Sequence, residues 1–492
     1  MSAYGSIARL EPQPDVVGAS ELLERARRAG ADWRRLSVAA RVAVLRRFRH
    51  RLAADSLQLA CRIRCRPVAD TLTGELLPLL EACRFVEKRA ESLLRPVRCR
   101  YRAGIWLRGT TVRVSREPYG TVLIVGPSNY GLMLPGIQAL QALAAGNAVI
   151  VKPAPGTREA LDELRKLLEV SGLPEGLLTI SDESVATAEA LIDGPIDKLV
   201  FTGSSAAGRS VLERAAANLV PATLELSGWD ACIVLDSADI ERAARAIAFA
   251  LSFNSGRTCL APRRILVSRC RYRSLIDRLT ALLDRIGPVA FDPAGARAAG
   301  KSIAAAIEGG ARLVSGALQP DGVTGPAVLV GVDRDQAIFN TEVFGPVAIV
   351  MAFDDPARAV ATANATPYRL GATLFGSPQQ TRALVPDLDA GVVMVNDAIV
   401  PAAHPALPIA ARGASGHGAT RGAEGLLEFT RPKAVASSTA RRPLHLEPPL
   451  PQAEPVLAAY IEAAYGKNWV KRTRAAWRAL VALTRGPTRE KR

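Results

Sequence analysis

Gly120–Val151 reads GTVLIVGPSNYGLMLPGIQALQALAAGNAVIV, a run without one charged side chain. It is long enough to span a bilayer, but its punctuation argues otherwise. Gly126-Pro127-Ser128-Asn129 and Gly146-Asn147 cut it into TVLIV, a helical stretch of roughly fifteen residues, and AVIV. That is the pattern of a buried βαβ unit, whose parallel strands read as continuous Val/Ile runs because helices cover both faces. Downstream, a helix over Thr157–Ser171, a strand over Leu177–Ile180, a helix near Val185–Ile192 and a strand over Lys198–Phe201 continue the alternation. Strands alternating with helices predict an α/β fold with a doubly wound parallel sheet. From Ala231 to Val350 the alternation resumes, with strands near CIVL, RILV and AIV, predicting a second α/β domain. Upstream, the first hundred residues read as Arg/Leu/Ala-rich helices such as Ser37–Ala53. Arg98–Glu117 alternates polar and apolar residues, as a solvent-facing hairpin or oligomer arm would.

The chain's 492 residues, 49% of them hydrophobic and 22% charged, can bury a sizeable core, and its scattered Gly and Pro exclude collagen-like material. Seven cysteines without a CxxC pair predict free thiols in a reducing compartment. The N-terminus has no apolar signal-like region, which predicts a cytoplasmic address. A net charge of +16 raises the question of nucleic acid or an anionic membrane. Arg441–Arg492 holds 11 Lys/Arg against 4 Asp/Glu, so +7 of the +16 lies there and +9 is spread over the preceding 440 residues. No basic patch with aromatic interleaving extends into the core, so no nucleic-acid partner is expected. Residues 436–455 are Pro-rich and predict a linker to a final basic helix. On that helix Val470, Thr473, Trp477, Leu480 and Val481 fall on one side, beside a strip of Lys471, Arg474, Arg478 and Arg485. Peripheral membrane contact through 467–485 and packing on this or a neighbouring subunit are both compatible with it.

Three places carry candidate chemistry. DKLVFTG runs into Gly203-Ser204-Ser205-Ala206-Ala207-Gly208 and a helical sequence. A glycine turn opening a helix is either a phosphate site or a tight structural turn. It matches neither a Walker A loop nor GxGxxG. Cys259 lies in FNSGRTCLAPRR near Arg257, Arg263 and Arg264, which would favour thiolate; alternatively it is a small core residue. Cys61 and Cys65 read as core residues, without partners for zinc, and no metal site is expected. Glu225 ends an apolar strand, where a carboxylate is costly unless used or paired; otherwise it is a surface group at a strand end.

Together these segments resemble the aldehyde dehydrogenase superfamily from about Gly120 to Val435. LELSG is similar to the family's LELGG, and FNSGRTC to F-N-x-G-Q-x-C, with Glu225 and Cys259 separated by the family's common spacing of 34. PSNYG, AAGNAVIVKP, FTGSSAAG, EVFGPV and GASGHG resemble further family segments in the same order, in a class 3-like layout. The resemblance implies a Rossmann-like cofactor domain with N-terminal helices over 1–225, including the arm at 98–117. It implies a catalytic α/β domain over 226–420, a return to the cofactor domain with an oligomerisation strand over 421–440, and the linker and basic helix over 441–492. It implies a homodimer or homotetramer that oxidises an aldehyde to a carboxylic acid with NAD or NADP. Cys259 would attack the carbonyl, giving a thiohemiacetal and then a thioester. Asn129 and the Cys259 N–H would hold the oxyanion, and Glu225 would activate water. Lys152 would bond the adenine ribose, Gly203 and Ser204 the pyrophosphate, and Glu342 the nicotinamide ribose, with Phe344 packing nearby.

The departures are specific. Ser128 and Gly131 replace a Trp and a Pro around the oxyanion loop, Ser227 a Gly, and Arg257 a Gln. Arg257 would either lower the thiol pKa or occupy part of the aldehyde pocket. Pro155 stands where NAD-selective members often carry a Glu, so nothing obvious in the sequence rejects a 2′-phosphate. Two other readings follow: a coenzyme A-acylating dehydrogenase, against which Glu225 argues, and a catalytically weak binding or structural protein.

Overall fold

The computed structural model describes residues 14–63, 66–101, 104, 107, 109–289, 293–439 and 453–484. They belong to two units: residues 1–94 with 116–431, and residues 95–115 with 432–492. In chain order the strands begin with β1 (Val97–Arg98) and β2 (Thr110–Pro118). Next come β3 (Thr121–Val125), β4 (Ala148–Lys152), β5 (Leu178–Ile180), β6 (Lys198–Thr202) and β7 (Ala222–Glu225). The following group is β8 (Ala231–Val234), β9 (Arg264–Ser268), β10 (Arg312–Gln319), β11 (Gly322–Val330), β12 (Val347–Phe353), β13 (Gly371–Phe375) and β14 (Val392–Val395). Short strands β15 (Ile409–Ala410), β16 (Gly416–His417) and β17 (Ala419–Thr420) precede β18 (Thr430–Ser438).

The uncharged stretch folds as β3, a helix Met133–Ala145 and β4, and all thirteen helical residues are buried. The helix packs on the helices Val38–Ala54 and Leu77–Leu94 on one side and on the sheet on the other. An all-round apolar surface is what such double coverage demands. Gly146 (φ 103) closes the helix in the left-handed conformation. Asn147 then donates to the Ala142 and Phe429 carbonyls and accepts from the Gly120 N–H, which explains the Gly-Asn pair. Among the described residues no helix is long and apolar enough to cross a membrane.

The first sheet has the order β16-β7-β6-β3-β4-β5, parallel except for β16. From β3 the chain winds through β4 and β5 in one direction, then through β6 and β7 in the other. That reversal opens a crevice beyond the carboxyl ends of β3 and β6, where doubly wound folds bind dinucleotides. The second sheet has the order β10-β11-β12-β9-β8-β13-β14, parallel except for the β10–β11 hairpin. Both sheets are the α/β architecture that the alternation predicts. The crossing back differs in detail: Gly416 already pairs with Glu225 of β7, a few residues before position 421, where the sequence reading put it.

In the smaller unit β1 pairs antiparallel with β2, and β18 joins them as β1-β2-β18, so the predicted hairpin is two strands of a three-stranded sheet. The tail contains two packed helices, Ala453–Tyr465 and Trp469–Thr484, instead of a single basic one; Ala459 and Ala475 are buried. Of the linker expected over 436–455, residues 436–438 end β18 and residues 453–455 begin the first tail helix, while residues 440–452, and Arg485, lie outside the described residues.

Candidate active site

The helix Ile240–Ser252 ends in a turn where Asn254 (φ 53), Ser255 (φ 55) and Gly256 (φ 63) are successively left-handed. A side chain at Gly256 would place its Cβ 2.6 Å from the Pro346 Cα, so the FNSG turn is pressed against the EVFGPV segment. The fully buried Arg263 guanidinium ties the turn by donating to the carbonyls of Gly256 and Thr258. This backbone reversal carries Cys259 to the wall of a cavity of about 500 Å³.

The Cys259 thiol donates to Glu225 Oε1 at 3.7 Å, and Glu225 Oε2 accepts from the Thr420 hydroxyl at 2.9 Å. Glu225 is 3% exposed at the end of β7, where the pairing with Gly416 holds it. The cavity wall is mostly apolar and includes Leu77, Met133, Leu134, Phe249, Phe253 and Ile399; Arg421 joins Cys259 and Glu225 in it. Burial pushes the Cys259 thiol up, Glu225 and Asp230 push the same way, and Arg421 opposes them.

The basic neighbours read from the sequence are arranged differently. Arg263 spends donors on the nucleophile turn, and Arg264 on the carbonyls of Trp229, Thr362 and Ala363. Arg257 is not part of the cavity wall. Arg263 still acts on the thiol electrostatically, but the cation that lines the cavity with it is Arg421, which the sequence reading missed. Its one sequence signal is a solitary large cation after the small-residue run GASGHGAT.

Asn129 is buried, and its side-chain amide donates to the Arg257 carbonyl at 2.8 Å. Its own carbonyl accepts from Arg66 (2.7 Å) and from Asn254 Nδ2 (2.9 Å), which joins the oxyanion loop to the nucleophile turn. Arg66 also pairs with Glu75 at 3.1 Å, both side chains buried, and lies over the Tyr130 ring. Glu75, on a π-helical turn, accepts from the N–H groups of Leu132 and Met133. This support for a loop lacking the family's Trp and Pro was also missed. Both residues lie far upstream, in helical sequence that bears no motif.

At the crevice, Lys152 ends β4 and is buried, which lowers its pKa while Asp182 and Glu183 raise it. Gly203 separates β6 from the helix Ser205–Ala217; a Cβ there would lie 2.6 Å from the Phe201 ring. Ser204 is the N-cap and accepts from the Ala207 N–H. Ser227 accepts from the Ser205 N–H at 3.2 Å. Glu342 accepts from the Gly228 N–H at 3.3 Å, and its carboxyl is pushed up by burial. Phe344 is 38% exposed. Glu183 accepts from the N–H groups of Thr157 and Arg158, at the start of the helix Arg158–Val170. The strand-end crevice, a helix N-terminus with a glycine approach, a lysine and a carboxylate fit a pyridine dinucleotide. Among the described residues no cluster of three or more His, Cys, Asp or Glu gathers as a metal site.

Comparison with known proteins agrees with this arrangement. Residues 12–435 match the aldehyde dehydrogenase family model. A 4,4'-diapolycopene aldehyde oxidase from Methylomonas sp is 33% identical over 437 residues, covering 86% of this chain and 82% of that protein. An NADP+ succinate-semialdehyde dehydrogenase from Deinococcus radiodurans is 30% identical, covering 86% of this chain and 91% of that protein. The crystal structure of an NAD-dependent aldehyde dehydrogenase from Sinorhizobium meliloti superposes with a TM-score of 0.81 at 26% identity, covering 88% of this chain and 89% of that one.

Proposed function

Starting from the chain's membership of the aldehyde dehydrogenase family, in which it is an NAD(P)-dependent enzyme, we propose that it oxidises apolar aldehydes to carboxylic acids through Cys259. The observation that carries this reading is the Cys259 thiol 3.7 Å from a buried Glu225 in an apolar cavity. The Cys259 proton passes to Glu225, the sulfur bonds to the aldehyde carbon, and the carbonyl π pair moves to oxygen. The Asn129 amide, oriented by its bond to the Arg257 carbonyl, and the Cys259 N–H hold that oxyanion. NAD(P)+, when bound, supplies the hydride acceptor for the aldehyde carbon. Lys152 would hold its adenine ribose, Gly203 and Ser204 its pyrophosphate, and Glu342 its nicotinamide ribose, with Phe344 alongside. After Glu225 has released the Cys259 proton to solvent, it takes a proton from water; the hydroxide oxygen bonds to the thioester carbon, the C–S bond breaks with its electron pair returning to the Cys259 sulfur, and the acid is released.

The thiol and its carboxylate meet in one cavity, which favours an active enzyme over a weak binding protein. The buried base in contact with the thiol favours water over coenzyme A as the acceptor. The Methylomonas relative, named for a 4,4'-diapolycopene aldehyde, adds support for an apolar substrate. The test is cofactor reduction with an aldehyde panel, with and without coenzyme A. Strict dependence on coenzyme A, or no reduction with any aldehyde, overturns the reading.

For the cofactor, Glu183 supplies the charge that Pro155 lacks. Held at a helix start beside Lys152, it repels a 2′-phosphate, so NAD is the preferred partner. In the smaller unit β18 is exposed along eight of its nine residues, a surface that a second copy would cover in a dimer or tetramer. The tail helices expose Leu457, Ile461, Trp469, Trp477 and Leu480 together with Lys471 and Arg474, the composition of a face for an anionic lipid surface. Cosedimentation with anionic vesicles, comparing the full chain with a form ending near Arg441, tests the lipid face. Equal binding by both forms, or none by either, rules it out.

A further inference from the structure

Arg421 is a buried cation with weak local partners. One guanidinium nitrogen donates to the Ala402 carbonyl at 2.6 Å, another approaches the Met133 thioether at 3.0 Å, and Nε is buried without a partner. A thioether is a poor acceptor, and an uncompensated buried charge is costly. Its backbone is left-handed (φ 63), a conformation that costs a large side chain about 1 kcal/mol or more. Both costs are understandable if the guanidinium has work in the cavity it lines. The preceding residue, Thr420, gives its hydroxyl to Glu225, so one dipeptide delivers a hydrogen bond and a cation to the same site.

The charged and titratable groups around the thiol are few. Glu225 comes from the end of β7, Asp230 from the turn before β8, and Tyr130 from the loop before the helix Met133–Ala145. Asp70 lies in the cavity wall, and Arg66 is engaged with Glu75 behind Tyr130. Tyr130 is neutral at working pH, with burial pushing its hydroxyl up to about 12. The contacts of Glu225 are a thiol and a hydroxyl, neither of them cationic.

We propose that Arg421 is the counter-ion of the Cys259–Glu225 pair, a positioning residue that stabilises one negative charge on the pair and so makes the thiol more reactive than it would be without the guanidinium. The inference rests on the reading of Cys259 as nucleophile. When the thiol gives its proton to Glu225 Oε1, one negative charge moves from the carboxylate to the sulfur, and Arg421 lines the cavity that holds both. Burial and the carboxylates push the thiol up; the Arg421 guanidinium opposes them, together with the Leu260 N–H, and Arg263 behind the nucleophile turn is coupled to the same thiol.

The test is the pH profile of Cys259 alkylation by iodoacetamide, followed on the full chain by mass of the Cys259 peptide, so that turnover is not needed. Arg421→Gln is expected to move the profile up by at least about one pH unit, making alkylation at pH 7.5 about tenfold slower. Arg421→Lys should restore most of the rate. Arg421→Met serves as the neutral variant if the Gln form does not fold. A neutral variant that binds NAD, with a profile coinciding with wild type, overturns the proposal. So does a Lys variant shifted as far as the neutral one, which would mean that shape rather than charge matters. If Cys259→Ala retains turnover, the nucleophile reading fails separately, whatever the alkylation profiles do.

Discussion

The cavity before Cys259 and the crevice beyond β3 and β6 are built from opposite materials. Leu77, Leu134, Phe249 and Phe253 line the first, whereas Lys152, Glu183, Ser204 and Glu342 belong to the second. Apolar walls discriminate gradually, by the area they cover. Charges and fixed N–H groups discriminate sharply, because a misplaced phosphate or an unpaired donor is penalised at once. On the proposed function the two ligands would be selected by different physics: the aldehyde by size and apolar area, the dinucleotide by charge.

The largest expected effect comes from removing the atom at which the two reactants meet. Cys259→Ala should lower aldehyde-dependent cofactor reduction by at least about a thousandfold. NAD affinity, measured by fluorescence titration, should remain within about twofold, since the crevice residues are untouched. Loss of both together would mean that cavity and crevice are not separable. Glu225→Gln comes next: a slowed burst of reduced cofactor, then steady turnover about a hundredfold slower, because the acceptor of the Cys259 proton and the base for water are both gone. Stopped-flow absorbance distinguishes burst from steady state, and undiminished turnover would remove Glu225 from the second half-reaction.

On the crevice side, Glu183→Gln is expected to raise the NADP/NAD ratio of kcat/KM by about tenfold, near the ~1.4 kcal/mol that removing one like charge from a half-buried site is worth. An unchanged ratio would assign cofactor choice elsewhere. The smallest effect belongs to the cavity. For straight-chain aldehydes kcat/KM should climb by about fourfold per methylene, from roughly 0.8 kcal/mol per buried CH₂, until the cavity is filled. A flat series, or one that peaks at acidic semialdehydes, would break the contrast between the two recesses.

The crevice was far more legible in the sequence than the cavity, for physical reasons. A βαβ unit buried on every side must be apolar throughout and must turn at Gly and Asn, so Gly120–Val151 declares itself. The turn into the helix Ser205–Ala217 is likewise local, with Ser204 as its N-cap. The cavity is assembled by tertiary contact from segments near residues 74, 130, 225, 259, 399 and 421, and no local pattern relates them. Arg421 and the Arg66–Glu75 pair were therefore invisible, since a cation among small residues or in a bend beside an Arg-rich helix looks like surface. Proximity in sequence also misled in part: Arg264 neighbours Cys259 in the chain yet spends its guanidinium on backbone carbonyls, and Arg263 ties down the nucleophile turn. The carboxylate of Glu183 was overlooked because it reaches the start of the helix Arg158–Val170 from a loop 25 residues downstream.

The bond from Thr420 to Glu225 spans 195 positions, and the strand pairing beside it joins Gly416 to the same glutamate. During synthesis the thiol and its partner carboxylate are therefore both made long before the segment that holds the carboxylate in place. A nascent chain halted near residue 400 would carry the reactive sulfur without the hydroxyl, the strand or the guanidinium that complete its surroundings. Long-range closure of this kind comes late in folding, so on the proposed function the surroundings of the thiol are completed by the last segment of the larger unit to be made.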